Sequence, residues 1–121
     1  MTYESVELVD SKIADGVSYS VSKMSFARRM DLMKRVRDLA RRAEFVIAAE
    51  DTGGKMDAAL LEVEIERLYV KWGLREVTGL EVDGSAATPE SLAESGPEDL
   101  FREALAAVRA AAGLSDAERK N

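Results

Sequence analysis

The chain contains no cysteine and no histidine. Those absences exclude disulfides, thiol nucleophiles, Cys/His zinc sites, a histidine general base and the Ser-His-Asp triad. Aromatic residues make up only 6%, with a single tryptophan at Trp72, so a core must be built from Leu, Val, Ala, Met and Ile. No apolar run approaches the ~18 residues that a membrane span requires. The longest, Phe45–Ala49 and Ala104–Val108, are short and bordered by charge. The opening Met1-Thr2-Tyr3-Glu4-Ser5 has an early acid and no apolar stretch of signal-peptide type. These features predict a cytoplasmic protein with no membrane partner, and the missing cysteine fits a reducing compartment.

Carboxylates, Lys, Tyr, Ser and Thr are left for any chemistry. At 121 residues, 46% hydrophobic and 33% charged, the sequence predicts one globular domain. The net charge of −6 is unevenly spread. Lys23, Arg28, Arg29, Lys34, Arg35, Arg37, Arg41 and Arg42 cluster in one segment, opposed there by Asp31 and Asp38. Glu81, Asp83, Glu90, Glu94, Glu98, Asp99 and Glu103 make the later part acidic. Such runs are usually solvated faces neutralised within one fold; the sharper reading has the basic face meeting nucleic acid or the acidic end of another copy. Overall acidity argues against nucleic acid, whose binding rests on phosphate neutralisation. The basic stretch also offers no aromatic stacking platform beyond Phe26 and Phe45, which occupy apolar-periodic positions.

Periodicity and turn chemistry predict an α+β fold, mostly helical. Residues 3–21 read as a β-hairpin: Val17, Tyr19 and Val21 alternate with serines, and Asp15-Gly16 supplies the turn. Residues 25–72 read as a helical hairpin. Ser25 caps the first helix, whose apolar positions include Phe26, Met30, Met33, Leu39 and Ala43. Gly53-Gly54 is expected to end it. The second helix, from about Met56 to Trp72, carries Leu60, Leu61, Val63, Ile65, Leu68 and Tyr69, with Gly73 as its terminal glycine. Residues 77–121 read as a short strand, Val77–Val82, ended by Asp83-Gly84, followed by short helices. Thr88-Pro89-Glu90 starts one helix, and Gly96-Pro97 stops it. Ser95 and Glu98 stand at capping-box spacing for the next, which Gly113 closes, and Ser115 and Glu118 repeat that spacing.

The chemical motifs are weak. Asp51-Thr52-Gly53 matches the triplet of aspartic proteases, but it sits between helical patterns where that chemistry needs a tight loop between strands. Glu62 and Glu66 lie one turn apart, yet helical carboxylate metal sites add histidine, so a solvated face is the simpler reading. Ser5, Ser11, Ser22 and Ser25 have Lys12 and Lys23 near in sequence, which does not place a base on a nucleophile. Asp83-Gly84-Ser85 lacks the acidic series of a calcium loop, and no phosphate-loop glycine pattern occurs. No metal or cofactor is expected. Trp72 reads as a core plug, and the Met24, Met30, Met33 group as a forgiving core or an adaptable apolar surface.

The order of certain segments resembles small proteins encoded in the tail-gene region of long-tailed bacteriophages and prophages, described as tail assembly chaperones. The resemblance runs loosely from Val17 to Asn121. It is carried by Val17-Ser18-Tyr19-Ser20-Val21, Met24-Ser25-Phe26-Ala27-Arg28-Arg29, Trp72-Gly73-Leu74, and Val77-Thr78-Gly79-Leu80-Glu81-Val82-Asp83-Gly84. It continues with Gly96-Pro97-Glu98-Asp99-Leu100 and the stretch from Gly113 to Asn121. The resemblance implies a non-enzymatic helper that coats the aggregation-prone tape measure protein, recruits tail-tube subunits and is absent from the finished tail. In several phages a ribosomal frameshift extends the short form, and Glu118-Arg119-Lys120-Asn121 would suit such a junction.

The expected function is binding, with an apolar helical segment of the tape measure protein as the first partner and the tail-tube protein as the second. A second copy of the chain is a further candidate. Met30, Met33, Phe101 and Leu105 are the candidate anchors, chosen for helical spacing. The alternatives are a structural head–tail or tail component retained in the virion, and a small hydrolase using Asp51 or a Ser-Lys pair.

Overall fold

A computed structural model describes residues 1–49 and 54–113. The fold is α+β and mostly helical. Among the described residues the elements are β1 (Val6–Asp10), β2 (Ser18–Ser22), α1 (Phe26–Ala49), α2 (Gly54–Gly73), β3 (Leu74–Thr78), β4 (Glu81–Val82), β5 (Ser85–Ala86), α3 (Pro89–Ser95) and α4 (Glu98–Ala111). The chain divides into two compact units, one formed by residues 1–24 with 69–121 and the other by Ser25–Leu68.

In the first unit, β1 and β2 form the expected antiparallel hairpin, with Val9 opposite Tyr19 and Glu7 opposite Val21. Gly16 supplies the positive φ of the connecting loop, at +82°. β3 pairs antiparallel with the other edge of β2, giving the order β1-β2-β3. The inward side chains of β2, namely Tyr19 and Val21, are buried, and α4 is laid against this strand. Leu100, Ala104, Leu105 and Val108 recur along α4 at helical spacing and complete the core with Val17, Val70, Leu74, Val77 and Leu92.

Two glycines decide the local geometry around β3. A Cβ on Gly73 would drive into the Val108 side chain, so α2 and α4 meet where the residue has no side chain. Gly73 is the last residue of α2, as its place in the sequence predicts, and the chain passes directly from it into β3 at Leu74. The expected strand over Val77–Val82 is corrected. Gly79 has φ +82° and a Cβ there would meet the Gly16 carbonyl oxygen, so the chain turns and β3 ends at Thr78. Residues beyond it form a separate small hairpin, β4 with β5, turned by Asp83 at φ 53° and Gly84 at φ 84°. The first part of β3 escaped notice because a register shift at Ser20/Val21 breaks the period of two.

Thr88 caps α3: its hydroxyl accepts from the Ser91 amide at 3.0 Å, and the Ser91 hydroxyl accepts from the Thr88 amide at 2.9 Å. The box expected from Ser95 to Glu98 does not form. Ser95 still belongs to α3, and Gly96, which precedes proline, is extended at ψ 173°, so α4 starts after Pro97 without a side-chain cap. In the second unit, Ser25 does cap α1, its hydroxyl accepting from the Arg28 amide at 3.2 Å. Gly54 opens α2 rather than closing α1. The Ser115–Glu118 pattern and Asp51-Thr52-Gly53 lie outside the described residues.

Candidate functional site

Helix α1 carries two apolar rows, each at i, i+4, i+7. Leu32, Val36 and Leu39 form the covered row, with Leu32 buried and the other two half-buried. Phe26, Met30 and Met33 form the second row, and this one is uncovered: their exposures are 83%, 42% and 60%. Helix α2 repeats the arrangement. Leu61, Ile65 and Leu68 are half-buried, whereas Leu60 and Val63 are exposed at 57% and 46%. Isolated surface hydrophobics are ordinary, but apolar side chains aligned along a helix face are a different matter, because covering each contributes about 1.5–3 kcal/mol.

The uncovered row of α1 is bordered by charge. Arg29, Lys34, Arg37 and Arg41 are exposed around it. Seven basic residues face three acidic ones within α1. Ion pairs on these helices include two local ones, Arg35 to Asp31 at 2.9 Å and Arg67 to Glu64 at 2.8 Å. The arrangement combines apolar side chains able to accept a varied surface, two of them thioethers, with a cationic margin. It can dock an apolar helix edged with carboxylates.

The four anchor residues inferred from sequence separate into two pairs. Met30 and Met33 lie in the uncovered row. Leu105 is a core residue at 2% exposure, and Phe101 is half-buried and packed against the same core. All four share helical spacing; α4 lies against β2, which covers one pair. Trp72 is half-buried. Phe26, Leu60 and Val63 complete the uncovered rows; sequence reading had counted them as apolar helix positions without assigning them to a surface.

A polar cluster in the first unit escaped sequence reading altogether. Glu103 on α4 reaches the loop between β1 and β2. Its Oε1 accepts from the Ser11 hydroxyl at 2.5 Å and the Tyr19 hydroxyl at 2.8 Å, and its Oε2 accepts from the Lys12 amide at 2.8 Å. The Ser11 hydroxyl in turn accepts from the amides of Ile13 and Ala14 at 3.1 and 3.0 Å. Burial acts to raise the Glu103 pKa, but the hydrogen bonds from Ser11, Lys12 and Tyr19 outweigh it and hold the carboxyl below its ordinary value. Burial, then the neighbouring Glu103, pushes the Tyr19 hydroxyl well above its usual range. Glu103 had read only as one acid in an acidic stretch; its partners lie about ninety residues away and carry no local signal.

This cluster fastens a loop. The Ser11 oxygen is occupied by two amides, and a carboxylate held at low pKa is a poor base. Among the other serines, Ser25 caps α1 and Ser22 is buried. Lys23 sits over the Tyr3 ring at 5.4 Å. Among the described residues, no group of three or more acidic side chains is arranged to hold a metal ion, and no helix is long and apolar enough to cross a membrane. Comparison with protein-family models, curated proteins and solved structures returns no match to this chain.

Proposed function

We propose that the protein is a non-enzymatic tail assembly chaperone of a long-tailed phage or prophage, acting in the bacterial host cytoplasm. In this reading it shelters an apolar helical segment of the tape measure protein and recruits tail-tube subunits. The observation that carries the binding part is the uncovered row Phe26, Met30 and Met33, edged by Arg29, Lys34 and Arg37. A long helical client exposes apolar stripes before assembly, and an exposed apolar row is suited to cover one. The cationic margin steers acidic flanks of the client into place and limits association with other basic surfaces. The phage assignment itself comes from the resemblance carried by the segments between Val17 and Asn121.

Co-expression with the tape-measure-like protein of the same tail-gene cluster tests the reading. The long protein is expected to become several-fold more soluble with this chain, and a complex is expected to elute at moderate salt. The double variant Met30→Glu, Met33→Glu is expected to lose both effects. Equal solubility with and without the chain, and no complex, overturns the reading. A DNA shift with steep salt dependence would move the site to the cations of α1 and replace the function.

A further inference from the structure

We propose that the outer edge of β1 pairs with β1 of a second copy of this chain, the two strands running antiparallel about a two-fold axis at Leu8. Outside the Ser25–Leu68 unit, the exposed large hydrophobics among the described residues are Met1, Tyr3, Leu8 and Ile13, all on β1 or beside it. β1 is an edge strand of its sheet. The Ser5 carbonyl accepts from the Lys23 amide at 2.8 Å, and the Ser11 amide donates to the Val17 carbonyl at 2.8 Å. Both bonds continue the β1–β2 register, so the odd-numbered residues of β1 are the ones that bond to β2. The N–H and C=O groups of Val6, Leu8 and Asp10 therefore point to the open edge. Such an edge is a template for a further strand. The opposite edge, β3, exposes Arg75 and Glu76 and no large apolar side chain.

The sequence around Leu8 selects a second copy as the occupant. Read outward from Leu8 in both directions, Ser5 mirrors Ser11, Glu4 mirrors Lys12 and Tyr3 mirrors Ile13. In an antiparallel pair centred on Leu8, the two leucines, each 68% exposed, face each other and leave water together. At both ends an exposed Glu4 faces an exposed Lys12 of the other copy, so the charges are complementary. Between them Val6 faces Asp10 and Glu7 faces Val9, and no like charges stand opposite. Centring the pair one residue earlier sets Glu7 against Glu7 and Glu4 against Asp10. Centring it one residue later sets Leu8 against Asp10 and separates Glu4 from Lys12. The contact is isologous: the same strand is used twice, and the assembly closes at two chains. It uses the first unit and does not rest on the chaperone reading, whose site is the uncovered row of α1.

The test uses the full chain in sedimentation measurements from about 1 to 100 µM. The wild type is expected to approach the mass of two chains as concentration rises. Leu8→Pro removes the outward N–H and the leucine side chain but no β1–β2 hydrogen bond, a change that edge strands tolerate. It is expected to raise the concentration needed for pairing about tenfold or more. Glu4→Lys and Lys12→Glu each set like charges opposite at both ends, and each is expected to weaken pairing. Their equimolar mixture is expected to regain it, because each end of the mixed pair again joins opposite signs. Met30→Glu with Met33→Glu is expected to leave pairing unchanged. Circular dichroism melting verifies that each variant is folded. A wild type at single-chain mass throughout overturns the inference and leaves the edge to an unrelated strand. So do a folded Leu8→Pro variant that pairs like the wild type, a charge-swapped mixture that pairs no better than its components, or an assembly larger than two. Loss of pairing in the methionine double variant would move the contact to α1 and overturn it as well. The co-expression outcome is read on the α1 row, so the two ideas fail separately.

Discussion

Glu103 shows how much one carboxylate can hold together. It accepts three hydrogen bonds, from the Ser11 hydroxyl and the Lys12 amide on the β1–β2 loop and from the Tyr19 hydroxyl on β2, all distant in sequence. Glu103→Gln keeps one acceptor oxygen but turns an amide donor toward the Lys12 N–H, so two donors face each other. Hydrogen bonds to a charged group are the stronger class, and the expected loss is about 1–3 kcal/mol in denaturant unfolding. The pH dependence has a definite sign. The folded-state pKa of Glu103 is lowered, so its contribution is present above the unfolded value, about 4.3, and disappears as pH falls through the folded value. The stability gap between wild type and Glu103→Gln should therefore be constant at neutral pH and narrow in acid below about pH 4. A gap that widens in acid would mean the carboxyl is bound protonated. Tyr19 has the opposite shift, so its contribution is present below about pH 10 and fades as pH rises beyond that. Asp51 lies outside the described residues. Under the binding reading, Asp51→Ala leaves solubilisation of the client unchanged, and a protease activity that vanishes in that variant would restore the enzymatic alternative.

At the scale of elements, the end of α2 approaches α4 too closely to admit a side chain at Gly73. Gly73→Ala places a methyl group against Val108 and is expected to destabilise by about 1–3 kcal/mol, although alanine is the better helix former. Val108→Ala alone opens a cavity in the core and costs a similar amount. The double variant Gly73→Ala, Val108→Ala should cost less than the two single changes added together, since the new methyl occupies space the old one left. Additive losses would show that Gly73 is required for backbone reasons instead. The cap of α3 is a smaller, separable effect. Thr88→Ala removes the bond to the Ser91 amide and should cost about 1 kcal/mol, read from the denaturation midpoint.

For the whole molecule, the decisive question is which apolar surface faces water. Leu105 is buried between α4 and the sheet, and Leu105→Ala is expected to cost about 2–5 kcal/mol. Met33 lies in the uncovered row, and Met33→Glu is expected to stay within about 0.5 kcal/mol of the wild type. Yet the same Met33→Glu should abolish client binding, while Leu105→Ala should affect it only through folding. Thermal melts and co-elution measured side by side separate the two effects. A Met33→Glu variant that unfolds would place that row inside the structure and remove the candidate site. The cationic margin of α1 acts at this scale as well: raising salt should weaken client binding, since exposed charges are screened over about 10 Å at 0.1 M.

Local chemistry made several elements legible before any coordinates. The Asp15-Gly16 turn with alternating Val17, Tyr19 and Val21 defines the hairpin, and Ser25 and Thr88 announce the starts of α1 and α3. Each of these signals is carried by residues a few positions apart, because turns, caps and amphipathic periods depend on neighbours along the chain. The strand at Leu74–Thr78 was misplaced because its register depends on β2, more than fifty residues earlier, and because Gly79 turns against the Gly16 backbone. The Glu103 cluster was invisible for the same reason. The candidate site makes the distinction sharpest. Met30 and Leu105 are equivalent as members of apolar helical rows, and periodicity ranks them alike. Burial is a property of what lies opposite: β2 stands against α4, which carries Leu105, and among the described residues Met30 and Met33 stay exposed. The helices and the β1–β2 hairpin were therefore readable from neighbouring residues, whereas the limits of β3 and the division of apolar rows into core and contact surface arose only when distant segments were brought together.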